Sequence, residues 1–158
     1  MGNINYNKNS RKIIIIIFSV CVISCLYFYN NYAELKKKQI LEEQAIYLSA
    51  VIKSELKNCI LKNIKCFDSY LNPADIYNKD KFTSALEVFV EKKKIRNPYS
   101  YFKEPSVIIS SYYEALSCGN NGKNNGIIIS TNDTKVKIKV CFLFHKSREE
   151  EFLIKQIL

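Results

Sequence analysis

Six cysteines and a single histidine are the side chains of this sequence best suited to chemistry. A cysteine can hold a metal, attack a substrate, carry a lipid or form a disulfide, and its surroundings decide which. Structural zinc wants paired Cys and His ligands at short spacing. The sequence has no Cys-x-x-Cys, and His145 is its only histidine, so no metal is expected. No motif pairs His145 with a nucleophile, and most carboxylates sit in lysine-paired helical stretches. No catalytic residue is therefore expected, and the chain does not read as an enzyme. One polar, Gly/Asn-rich stretch, Cys118 to Gly126, has the glycine content of a phosphate-cradling loop. It has neither the P-loop nor the Gly-x-Gly-x-x-Gly spacing, so no nucleotide or other cofactor is expected.

The cysteines fall into two groups. Cys21 and Cys25 lie inside an apolar run and read as small membrane-embedded residues. Val22-Ile23-Ser24-Cys25 also fits the looser form of a bacterial lipobox behind a basic N-terminal region. That makes Cys25 a candidate for lipidation, although Leu26-Tyr27-Phe28-Tyr29 continues the apolar run where a lipoprotein tether is usually polar. Cys59, Cys66, Cys118 and Cys141 lie beyond the run, and four cysteines allow three pairings. In an exported domain the expectation is nearest-neighbour disulfides, Cys59 with Cys66 and Cys118 with Cys141; in the cytosol all four would be thiols.

The elements that must position these residues begin with the apolar run itself. Ile13 to Tyr29 contains no charge, glycine or proline. At about 17 residues it is at the short end of what spans a bilayer. Tyr27, Tyr29 and Tyr32 suit an interfacial aromatic belt. Lys8, Arg11 and Lys12 precede the run, and Lys36, Lys37 and Lys38 follow it, offset by Glu34, so charge nearly balances across it. Cysteine usage then decides the orientation: N-terminus inside, head periplasmic or extracellular, on a single-pass bacterial inner-membrane anchor. No Ala-x-Ala cleavage site follows the run, which argues against a removed signal peptide.

From Ala33 to about Ile64, Leu41, Ala45, Leu48, Ile52, Leu56 and Cys59 recur at helical spacing. With no Gly or Pro between Ile13 and Asn72, one helix is expected from the membrane to the mid-sixties, with the break at Asn72-Pro73. Its apolar stripe must bury against a domain or pair as a coiled coil, and irregular spacing near Cys59 favours the domain. Asp80 or Thr83 is placed to cap a second helix through Phe89 and Val90, ending at the Lys92-Lys93-Lys94 run. Asn97-Pro98-Tyr99 signals a turn, and Val107 to Ser110 a strand. Gly126–Thr131 and Lys135–Phe144 read as a hairpin turning at Asn132-Asp133. Val136, Ile138, Val140 and Phe142 occupy one face of its second strand; Lys135, Lys137, Lys139 and Cys141 occupy a solvated one. Arg148 to Leu158 reads as a terminal helix with Glu149-Glu150-Glu151 in its first turn.

The expected fold class is α+β: a long N-terminal helix, half membrane-embedded and half amphipathic, packed on a small antiparallel sheet. Its divisions are a basic N-terminus at 1–12, a transmembrane helix at 13–32, an amphipathic helical stalk at 33–66 and a head at 67–158. The 158-residue chain carries 24 Lys+Arg against 15 Asp+Glu, a formal charge of +9. Such a surface can attract polyanions. Lys135, Lys137 and Lys139 are the candidate contact, with DNA as the polyanion, although no aromatic residues interleave with them and three lysines on one strand usually mark a solvated face.

The overall plan resembles type IV pilins and pseudopilins. Tyr29-Asn30-Asn31-Tyr32-Ala33-Glu34 looks like the Tyr-x-Asn-Tyr step at which a pilin's first helix leaves its hydrophobic half. Arg96-Asn97-Pro98-Tyr99 resembles the Asn-Pro-Tyr turn between pilin helix and sheet. The later order Cys-Gly-Asn, Gly-x-Ile-x-Ile, Val-x-Ile-x-Val-Cys looks like the pilin sheet with its C-terminal disulfide. The resemblance implies a structural subunit, or minor component, of a type IV pilus or related secretion or uptake filament. Its partners would be the lipid bilayer and other pilin-like subunits. Two features depart from the family. Its Gly-Phe-Thr-Leu-Ile-Glu-like processing site is missing, and Ser10 stands where alignment on Tyr32 places the family's glutamate, a residue tied to assembly. These departures favour the alternative of a bitopic, or Cys25-lipidated, envelope adaptor or sensor that does not polymerise.

Overall fold

Long runs without Gly or Pro propagate helix, and in a computed structural model of the chain a single helix, α1, spans Tyr6–Lys62. The structure describes residues 6–95, 98 and 99, 107–110, 118, 125–132, 134–142 and 145–154. Two compact units divide the chain, Met1–Lys37 and Lys38–Leu158. The first is helical throughout its described residues, and its side chains from Arg11 to Tyr32 are all exposed.

The second unit holds the rest of α1 and the head. Helix α1 stops at Lys62, before Asn72-Pro73, because Asn63 takes a left-handed φ of 50°. Asparagine tolerates that conformation and commonly ends helices with it. A short 3-10 turn, Pro73–Asp75, precedes α2, Lys79–Lys92. Asn78, rather than Asp80 or Thr83, caps α2: its side chain accepts from the Lys81 N–H at 3.1 Å. Thr83 lies inside the helix, bonded to the Lys79 carbonyl at 2.7 Å.

Among the described residues four strands follow: β1 (Val107–Ser110), β2 (Gly126–Thr131), β3 (Lys135–Phe142) and β4 (His145–Leu153), in the order β1-β2-β3-β4. The last three are antiparallel, whereas β1 runs parallel to β2, so the sheet is mixed. Asn132 directs the hairpin turn, its side-chain oxygen accepting from the Thr134 and Lys135 N–H groups at 2.9 and 2.7 Å. Asp133, Asn97, most of the Gly/Asn-rich loop and the last four residues lie outside the described set.

The expected terminal helix is instead strand β4. Its register sets Glu151 opposite Lys137, Glu149 opposite Lys139 and Phe152 opposite Val136. Three successive glutamates favour a helix start only when nothing better is near. Beside a strand that presents a lysine at every second position, cross-strand pairing outweighs that preference.

The core of this unit joins the α1 stripe, Leu41, Leu48, Ile52 and Leu56, to α2 and to the inward face of the sheet. Phe67 stands edge-on to Phe82 and Phe89, with centroids 5.7 and 5.2 Å away. This is the domain packing alternative for the stripe, with the same helix supplying one wall of the core.

Candidate functional site

The most distinctive surface is the first half of α1. Apolar side chains on every side of a helix have no place in water, and they are stable in a hydrocarbon solvent. The helix is long and apolar enough to cross a membrane. Cys21 and Cys25 are exposed, unbonded and four positions apart, so both occupy one face of that helix. The changeover is abrupt: Leu35 is 63 % exposed and Leu41 is fully buried. Between them Lys37 pairs with Glu34 at 3.0 Å and Lys38 with Glu42 at 3.8 Å.

Both nearest-neighbour disulfides are formed. Cys59–Cys66 joins the last turn of α1 to the turn that follows, across a Cα separation of 5.1 Å. Both residues are buried. Cys66 and Leu71 exchange backbone hydrogen bonds of 3.0 and 3.2 Å, and between them Phe67, Asp68 and Ser69 have φ values of 53°, 56° and 76°. Three successive left-handed residues without a glycine are costly. The disulfide holds one end of this turn, the buried Phe67 ring holds its middle, and the Phe67 N–H donates to the Glu55 carboxylate at 3.0 Å. Sequence reasoning missed Glu55, because nothing in its spacing marks it as a partner for a turn twelve residues on.

Cys118–Cys141 closes a separation of 23 residues onto β3, at a Cα distance of 5.3 Å. Cys141 shares its sheet face with Ile128 and Ser130, and all three are buried. The expectation of an open, solvated lysine face is therefore corrected: Lys135, Lys137 and Lys139 are half-buried. Lys135 reaches Glu151 at 2.8 Å, and Lys137 reaches Glu149 and Glu151, each at 3.4 Å. Burial pulls the Lys137 ammonium down, but the charges and hydrogen bonds of Glu149 and Glu151 outweigh it and hold its pKa above the ordinary value. The structure thus brings the three predicted lysines together on a strip that β4 largely neutralises.

On the other face of β4, Glu150 accepts from Ser49 at 2.8 Å and from Lys53, so charge fastens the strand to α1. Lys53 also lies 4.8 Å over the Phe152 ring. Burial raises the Glu150 pKa, yet the hydrogen bonds from Lys53 and Ser49 prevail and set it below the ordinary carboxylate value. Ser49 and Lys53 stand at i and i+4 beside the apolar stripe; that spacing was the one available signal for this contact.

An open groove of about 540 Å³ lies between the Tyr70–Asn72 segment and α2, lined by Leu71, Asp75, Lys81 and Val88 among others. Its best-placed carboxylate is already engaged: Asp75 accepts from Lys81 at 2.8 Å and from Asn72 at 3.3 Å. Those bonds, Lys81 first, lower its pKa. Among the described residues no group of three or more His, Cys, Asp or Glu side chains could hold a metal ion. The chain matches no protein-family model, no curated protein and no solved structure.

Proposed function

We propose that this chain is a membrane-anchored structural protein, a pilin-like subunit or minor component of a type IV pilus or related secretion or uptake filament. One observation carries the reading. A single helix passes from a half exposed and apolar on all sides to a half whose single apolar stripe is the wall of a disulfide-bonded head. Such a helix has a use in two dry environments, a bilayer and the interior of a helical filament. The head's work is then packing and contact with neighbouring subunits or envelope proteins. The two disulfides support a head on the oxidising side of the bacterial inner membrane.

The second reading is a bitopic or Cys25-lipidated adaptor that remains a monomer. Ser10 favours it, because it puts a hydroxyl where the family's assembly glutamate would stand. DNA contact by the head is the weakest partner proposal, since Lys135 and Lys137 already meet carboxylates.

The deciding measurement is the intact mass of native protein extracted from membranes, before and after reduction. Loss of a few N-terminal residues, with two disulfides, is the expected outcome for a processed subunit. Loss of residues 1–24 with added acyl mass would replace it with the lipoprotein. A full-length chain would favour the bitopic adaptor, and free thiols would return the head to the cytosol.

A further inference from the structure

The end of the fully apolar part of the helix is marked by two features that fall on the same few residues. Exposure of apolar side chains on every face ends after Leu35: beyond it Leu41, Ala45 and Leu48 are buried on one face, while Ile40, Ile46 and Tyr47 stay exposed on the others. Three consecutive lysines, Lys36, Lys37 and Lys38, occupy that point. Successive helix residues are turned by about 100°, so three in a row spread over about 200° of the helix circumference instead of lining one narrow side. Charge spread that widely suits a lipid surface, which meets a helix from many directions; a protein partner would meet one face.

The spacing agrees with a bilayer. From Ile13 to Tyr32 is roughly 20 residues, or about 30 Å of helix, the thickness of a hydrocarbon core. The lysines then stand about 6–9 Å further on, at the depth of headgroup phosphates. They are not equivalent. Lys37 is paired with Glu34, while Lys38 is paired with Glu42 and lies 5.8 Å over the Phe142 ring. Lys36 is exposed, and its ammonium lies 5.6 Å over the ring of Tyr32. The aromatic face holds the ammonium directly above the apolar boundary and leaves its N–H donors to a ligand.

We infer that Lys36, Lys37 and Lys38, with Lys36 seated on Tyr32, form a collar that binds the phosphates of anionic phospholipids in the leaflet from which the head emerges. This rests on the membrane-spanning reading. From Glu34 to Lys38 three lysines stand against one glutamate, and with Lys38 also engaged by Glu42 the net positive charge rests chiefly on Lys36; basic residues beside a membrane helix are attracted to an anionic surface.

The test is electron spin resonance of the full-length protein in phosphatidylcholine vesicles containing spin-labelled phosphatidylglycerol or spin-labelled phosphatidylcholine. The expected result is a motionally restricted lipid population that prefers phosphatidylglycerol roughly threefold, reduced sharply in 1 M salt. Lys36→Gln should remove the largest single share of that preference, and the Lys36→Gln/Lys37→Gln/Lys38→Gln variant should remove more. Lys36→Arg should retain it. An Arg11→Gln/Lys12→Gln variant, altered at the other end of the run, should keep the part due to the collar. A phosphatidylglycerol preference unchanged in the triple variant would overturn the collar. Absence of any restricted lipid population would instead overturn the membrane-spanning reading on which it rests.

Discussion

In α1, Ile16 is 62 % exposed and Ile52 is fully buried, although both are isoleucines in one uninterrupted helix. From Ile13 to Val20 every residue but Ser19 is apolar, on all faces of the helix; around Ile52 lysine, serine and glutamate fill the positions away from the stripe. Two different solvents are what these two patterns suit. A helix in hydrocarbon gains nothing from sorting its faces, whereas one beside water must sort them. The same side chain therefore has two different jobs. Ile52 stabilises the head by leaving water, a transfer of about 1.5–3 kcal/mol. Ile16 is exposed and belongs to a stretch long and apolar enough to cross a membrane.

The contrast breaks most visibly in the core. Leu48→Ala should lower the head's unfolding free energy by about 2–5 kcal/mol, through lost transfer energy and the cavity left behind. Ile16→Ala should leave it unchanged. Urea titration of both full-length variants in detergent checks this, and equal losses would show that the first half of α1 also packs on protein.

The disulfides give the next largest effect, again confined to the second unit. Loop closure predicts about 3.5 kcal/mol for Cys118–Cys141 and about 2.5 kcal/mol for the shorter Cys59–Cys66 loop. Cys118→Ala and Cys141→Ala should each lose the first amount, and the double variant no more, because one bond has been removed in all three. Additive losses would mean that the cysteines act separately. Ile23→Arg, near the middle of the 13–32 span, provides the reciprocal case. A charge at mid-membrane costs about 2.5–3.5 kcal/mol on insertion scales, so the variant should be extracted by alkaline carbonate more readily than the parent while its head unfolds at the same urea concentration.

These regions also differ in how far they could be read from sequence. The apolar run, the stripe from Leu41 to Cys59 and the bounds of β1 and β2 were legible because each rests on a local period or a turn residue. The cysteine pairs were legible as the pairing of nearest neighbours, but their burial was not. Strand β4 was misread. Glu149, Glu150 and Glu151 satisfy a helix-start rule locally, and only the long-range lysine strand Lys135–Lys139 makes them a strand. The parallel direction of β1 and the capture of Glu150 by Ser49 are likewise products of tertiary placement, about a hundred residues from α1 in the second case. The left-handed turn at Phe67–Ser69 had no glycine to announce it. The first half of α1 can be read from its own residues because its apolar pattern is uniform. The head has to be read from pairs.

The smallest predicted effect probes that pairwise logic at Glu150. Its carboxyl is held below the ordinary glutamate pKa of 4.5 by Lys53 and Ser49 in spite of burial, so near that pH the unfolded chain binds more protons than the folded one. The contribution is present above pH 4.5 and is lost as the pH falls through the depressed folded value. Lys137 has the opposite sign: its folded pKa lies above 10.5, so its contribution is present below that pH and is lost as the pH rises through the raised value. The side chains of Lys53 and Glu150 are partly open to water, 39 % and 29 % exposed, which screens the pair. Glu150→Gln should accordingly cost only about 1 kcal/mol at pH 7. It should also flatten the acid limb of the head's stability below pH 4.5 and leave the alkaline limb near Lys137 as it was. An unchanged acid limb would show that β4 is held to α1 by Phe152 and Ile154 alone, and the contact would then be hydrophobic in both of its parts.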